Sequence, residues 1–124
     1  MAATKEIMAG GISAIAADSI TGSQTTGITA TGSTQLDAKA LTTTDNAVST
    51  AAAGTGVILP QWATPGDDFM VYNGGANALL VYPPLGSSAT INAGAANAGF
   101  SVATTKSARF KMLSATVWVA GLSA

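Results

Sequence analysis

Between Gly66 and Ala120 the chain runs as short apolar stretches cut by small-residue turns, and that pattern restricts it to a β fold. The clearest unit is Asp67 to Pro84. Two apolar runs, Phe69 to Tyr72 and Leu79 to Tyr82, flank Asn73-Gly74-Gly75-Ala76-Asn77. Asn-Gly and Gly-Gly accept the positive φ angles of tight hairpin turns, so the pattern predicts a β-hairpin. Further along, Ala108, Phe110 and Met112 alternate with Arg109 and Lys111, the signature of a strand with one buried and one wet face. Upstream, Ile28 to Thr31, Gln35 to Leu41, Ala47 to Thr50 and Val57 to Leu59 are weaker strand candidates. Strands every 8–12 residues with turns between them predict an all-β fold, an antiparallel β-sandwich or jelly-roll-like barrel. The β domain is placed at 27–124. Its expected inward residues are Val57, Leu59, Phe69, Val71, Leu79, Val81, Phe100, Val102, Phe110 and Met112.

Residues 1–26, rich in Ala, Gly, Ser and Thr, are expected to form an extended N-terminal arm. Met8, Ile12 and Ile15 have helical spacing, but Gly10 and Gly11 each weaken a helix by about 1 kcal/mol. Lys5 is followed by Glu6, and Gly10-Gly11 splits the apolar stretch, so the segment is a poor secretory signal. Gly75 to Ala78 and Ala95 to Ala98 echo one another as similar turns before strands. Two copies are too few for a solenoid.

Composition narrows the function. At 124 residues this is one domain. There is no cysteine and no histidine, which removes disulfides, thiolate metal sites and most general acid–base or nucleophilic schemes. Asp67 and Asp68 follow Pro65-Gly66 and read as a solvated turn, and no carboxylate set has calcium-loop spacing. No catalytic, cofactor or metal site is expected, and the chain is expected not to be an enzyme. A net charge of −1 offers no footprint for nucleic acid, and no apolar run is long enough to span a membrane. Only 9% of residues are charged, well below the usual quarter, so the surface is expected to be Thr, Ser, Asn and Ala or to be covered by other subunits. Trp62, Tyr72, Tyr82 and Trp118 are candidates for a stacking platform that binds glycans, although core edge or subunit interface is the plainer reading. Trp118 lies between Val117 and Val119 and is expected on the opposite face from both, exposed or facing an interface.

Several segments together carry a resemblance. They are Gly54 to Pro60, Pro65-Gly66-Asp67, Val71 to Ala78 with Val81 to Pro84, Ile91 to Ala98, and Ser114 to Thr116 with Trp118. In these turns and strands the chain resembles small tailed-bacteriophage virion proteins of the capsid decoration (cement) or head-fibre-like type, over about residues 28–120. The resemblance implies a β-rich structural protein, trimeric, seated on the outer capsid surface of the virion and bound to the major capsid protein. The alternative is a tail or fibre module that binds host glycans. Candidate interface residues are Ile7, Met8, Ile12, Ile15 and Ile20 in the arm, with Arg109, Lys111 and Trp118 in the β domain.

Overall fold

A computed structural model describes residues 23–123. The chain begins by crossing back and forth between two sheets. Strand β1 (Gln24–Thr29) lies in the first sheet, β2 (Lys39–Ala40) in the second, β3 (Asp45–Thr50) in the first and β4 (Gly56–Ile58) in the second. β5 (Asp68–Asn73) returns to the first sheet and β6 (Leu79–Tyr82) to the second. Each strand therefore lies parallel to the strand two elements earlier. Gln24 stands beside Asp45, a step of 21 residues, and Asp45 beside Met70, a step of 25. In the second sheet the steps are 18, from Lys39 to Val57, and 24, from Gly56 to Leu80. Parallel strands need a long crossover connection. Here the crossover is the strand in the opposite sheet, so every turn of chain forms one rung of a solenoid-like stack.

Four later strands close the stack. β7 (Thr90–Ile91) sits at the far edge of the first sheet, and β8 (Phe100–Val102) pairs antiparallel with β6. β9 (Ser107–Ser114) pairs antiparallel with β5, and β10 (Val117–Leu122) forms a hairpin with β9. The first sheet has the order β1-β3-β5-β9-β10-β7 and the second β2-β4-β6-β8. The fold is all-β as expected, but its sheets are mixed, and this corrects the antiparallel sandwich or barrel. Among the described residues the first strand begins at Gln24.

The expected hairpin at Asn73 is the source of the error. β5 and β6 have close to the predicted bounds, yet they lie in different sheets. The turn between them is a corner, and none of Asn73, Gly74 and Gly75 adopts a positive φ. What holds the corner is Asn73. Its Nδ2 donates to the carbonyls of Asn77 (2.8 Å) and Val102 (2.9 Å), and its Oδ1 accepts from the Gly75 amide (2.9 Å). Asn77 Nδ2 then donates to the Ala51 carbonyl at the corner one rung earlier (2.9 Å). A Cβ on Gly75 would lie 2.6 Å from the Ala51 amide nitrogen. Glycine is needed here for close stacking of corners, not for its left-handed φ. The echo at Ala95 to Ala98 does something else: Asn97 adopts φ +62° and its amide donates to Ala89.

The core lies between the two sheets. All ten expected inward residues are in it, Phe100 only partly buried. Phe110 meets Phe100 edge to face at 5.7 Å, and Phe69 packs against Trp118 at 5.8 Å. Trp118 is indeed opposite Val117 and Val119, but the sides are reversed. The tryptophan is fully buried and the two valines are exposed. Burying the largest side chain of β10 removes more apolar area from water than burying either valine.

Candidate interaction surface

The outer face of the first sheet gathers several of the exposed charged and apolar side chains among the described residues. Cross-strand register sets its rows. Asp68 of β5 stands beside Lys111 of β9, which stands beside Val119 of β10. In the next row Met70 stands beside Arg109 and Arg109 beside Gly121. Tyr72 and Ser107 follow. Lys111 Nζ lies 3.5 Å from Asp68 Oδ2, with both side chains about half exposed. Such a pair contributes at most about 1 kcal/mol. Arg109 is exposed and has no carboxylate within salt-bridge distance among the described residues. Gly121 carries no side chain to crowd the guanidinium stem, and a shallow depression opens there between Ser107, Arg109 and Ser123. Arg109 and Lys111 thus face outward as expected.

The β9–β10 hairpin adds an apolar strip to those cations. Leu113 is 52% exposed, and Val117 and Val119, each 39% exposed, lie on the face of Lys111, whereas Leu122, also exposed, stands beside the inward Ala108 at the end of β10. The far edge of this sheet is finished by a side chain. Asn92, at φ +53°, donates from Nδ2 to the Ala120 carbonyl and accepts the Ala120 amide on Oδ1, both at 2.9 Å. It continues the pairing of β7 with β10 by one residue.

The aromatic candidates are not brought together. Tyr82 and Trp118 are buried. Trp62 is exposed but rests edge to face on the core residue Phe69 at 5.5 Å, whereas Tyr72 lies on the outer face of the same strand. Trp118 is thereby corrected from an interface residue to a core residue. Ile7, Met8, Ile12, Ile15 and Ile20 lie outside the described residues. The acids are local fasteners. Asp67 Oδ2 accepts from the Thr64 amide (2.9 Å) and hydroxyl (3.2 Å). Asp37 Oδ1 accepts from the amides of Thr34 (2.9 Å) and Ser33 (3.1 Å) and from the Thr34 hydroxyl (2.9 Å). The Thr34 bonds, backbone first, hold the Asp37 carboxyl below its ordinary value of 3.8. No group of three or more metal-ligating side chains occurs among the described residues. No helix there is long and apolar enough to cross a membrane.

Sequence reading missed the hairpin strip. Its one signal was available: in Thr116-Val117-Trp118-Val119 alternation places the two valines together, and the larger tryptophan has first claim on the interior. Comparison of the chain with protein-family models, with curated proteins and with solved structures gave no match.

Proposed function

We propose that this protein is a non-enzymatic structural component of a tailed-phage particle, a decoration protein that binds the major capsid protein and stabilises the outer capsid surface as a homotrimer. The observation that carries the reading is the β9–β10 face. It joins an exposed apolar strip to two outward cations on one face of the sheet. Apolar side chains exposed side by side and rimmed by polar residues are the kind of surface that contacts another protein. The low charge of the whole chain fits a surface that is largely covered in service. Glycan binding by a tail or fibre module needs a shared aromatic platform, and Trp62 and Tyr72 face different sides of β5.

The test is binding of the purified full-length protein to undecorated phage capsids, followed by sedimentation of the particles. Wild type is expected to co-sediment at saturable occupancy. Val119→Asp and Leu113→Asp, which place a charge in the strip without touching the core, are expected to abolish it. Failure of wild type to bind capsids, with binding to a host-glycan surface instead, overturns the proposal in favour of the fibre reading.

A further inference from the structure

Asn73 is the one asparagine of the chain that glycine follows; Asn46, Asn77, Asn92 and Asn97 are each followed by alanine. An asparagine–glycine pair carries a chemistry of its own. The backbone nitrogen of the second residue can attack Cγ of the first, and glycine, with no Cβ, leaves that approach open and the backbone free to reach it. The glycine here is not required by a left-handed φ. It is required by packing: a Cβ on Gly74 would lie 3.1 Å from the Val48 carbonyl oxygen. The close fit of the corner thus brings a labile pair with it.

The folded corner opposes the attack in three ways. The Gly74 amide, which must give up its proton to become a nucleophile, donates that proton to the Val48 carbonyl at 2.8 Å. The Asn73 carboxamide, which must turn Cγ toward that nitrogen, is pinned at both ends. Its Oδ1 accepts from the Gly75 amide at 2.9 Å, and its Nδ2 donates to the carbonyls of Asn77 and Val102 at 2.8 and 2.9 Å. The side chain is also fully buried, so the charge that develops on it during attack has no water to stabilise it. An unfolded chain has none of these restraints.

We propose that Asn73 is a deamidation site that the native fold holds unreactive and unfolding releases, and that reaction there makes unfolding irreversible. In the open chain the Gly74 nitrogen bonds to Asn73 Cγ and the bond from Cγ to Nδ2 breaks. Nδ2 leaves as ammonia with the proton that the Gly74 nitrogen gave up. Water then opens the cyclic imide at one of its two carbonyls. Opening at Cγ leaves an aspartate on a normal backbone. Opening at the main-chain carbonyl leaves an isoaspartate, with the backbone routed through Cγ. Neither product fits the corner. The aspartate sets a charged acceptor against the Asn77 and Val102 carbonyls, which need a donor. The isoaspartate lengthens the backbone beside Gly75, where a Cβ would already lie 2.6 Å from the Ala51 nitrogen. Chemical change that outruns refolding is a general route to irreversible unfolding.

The test holds the full-length protein in mildly alkaline buffer, with and without denaturing urea, and follows each asparagine by peptide mass spectrometry. Conversion is read as the mass gain of NH exchanged for O and as a separate isoaspartate peptide. In urea, Asn73 is expected to convert about tenfold faster than Asn46, Asn77, Asn92 or Asn97, because an unhindered backbone reaches the attack geometry more often. Without urea its rate is expected to fall at least about tenfold, since reaction must wait for the corner to open. Equal rates at Asn73 and Asn46 in urea overturn the site, and equal rates at Asn73 with and without urea overturn the protection. The yield of protein refolded on dilution is expected to fall with time in urea at the rate of Asn73 conversion. A yield that stays constant after most of Asn73 has converted overturns the irreversibility. Asn73→Asp installs one product directly and is expected to abolish folding or to lower the unfolding midpoint sharply. A midpoint equal to wild type overturns the proposal as well.

Discussion

Asn73 and Gly75 show how much a single corner depends on residue identity. The asparagine is fully buried and bonds two carbonyls and one amide, so removing it takes one partner from each of three backbone groups at the corner. Each such group costs about 1–3 kcal/mol when buried. Asn73→Ala is expected to lower stability by roughly 2–4 kcal/mol in urea unfolding, a loss few domains of this size tolerate. Gly75→Ala should cost about 1–3 kcal/mol, because the methyl group meets the Ala51 backbone, which cannot move aside as a side chain can. Gly121→Ala is the control: nothing lies within 4 Å of its added Cβ, and its unfolding midpoint should stay near that of wild type. Asp37 has a pH signature. Its folded carboxyl titrates below 3.8, so its contribution is present above that value and is lost as pH falls through the lower folded midpoint. A carboxyl NMR titration should place the Asp37 midpoint below 3.8, and Thr34→Ala should move it upward.

Among the elements, β9 joins the two halves of the molecule. It pairs with β5 on one side and β10 on the other, and Ala108, Phe110 and Met112 alternate inward against Arg109 and Lys111 outward. That alternation was legible in the sequence, and so were most strand positions and the ten core residues, because period-2 burial depends only on the chain itself. Sheet membership was not. Whether Asn73 to Ala78 turns back within a sheet or around a corner depends on Ala51 and Val102, 22 and 29 residues away along the chain, and nothing local to the turn reports them. The face of Trp118 was open for the same reason. Alternation fixed its relation to Val117 and Val119 but not which side was inward. A pair of substitutions in β9 checks the register. Phe110→Ala should cost about 3–5 kcal/mol, whereas Lys111→Ala, which breaks only an exposed ion pair, should cost less than about 1 kcal/mol. Comparable losses for the two would mean that the strand is turned over.

At the scale of the whole molecule, the proposed homotrimer assigns the part of the hairpin strip around Val119 to contact between subunits, so that losing the trimer also removes capsid binding. Mass action then makes stability depend on protein concentration. The thermal midpoint of wild type is expected to rise with concentration, and that of Val119→Asp to be independent of it. A wild-type midpoint that is flat across micromolar concentrations counts against trimerisation through this face.

The order of the strands also has a consequence for synthesis. The rungs β1 to β6 leave the ribosome first, and until β8 and β9 follow, the edges of β5 and β6 that those strands later cover stand open. At about 5–20 residues per second the interval lasts a few seconds. Both nascent edges are rich in Val, Leu, Phe and Tyr, the composition that recruits other strands. A chain released at Ala103 keeps the β5 edge exposed permanently and is expected to sediment as aggregate. Newborn chains crowded on one polysome meet during this interval, so slower translation after Tyr82 should lower the yield of soluble protein.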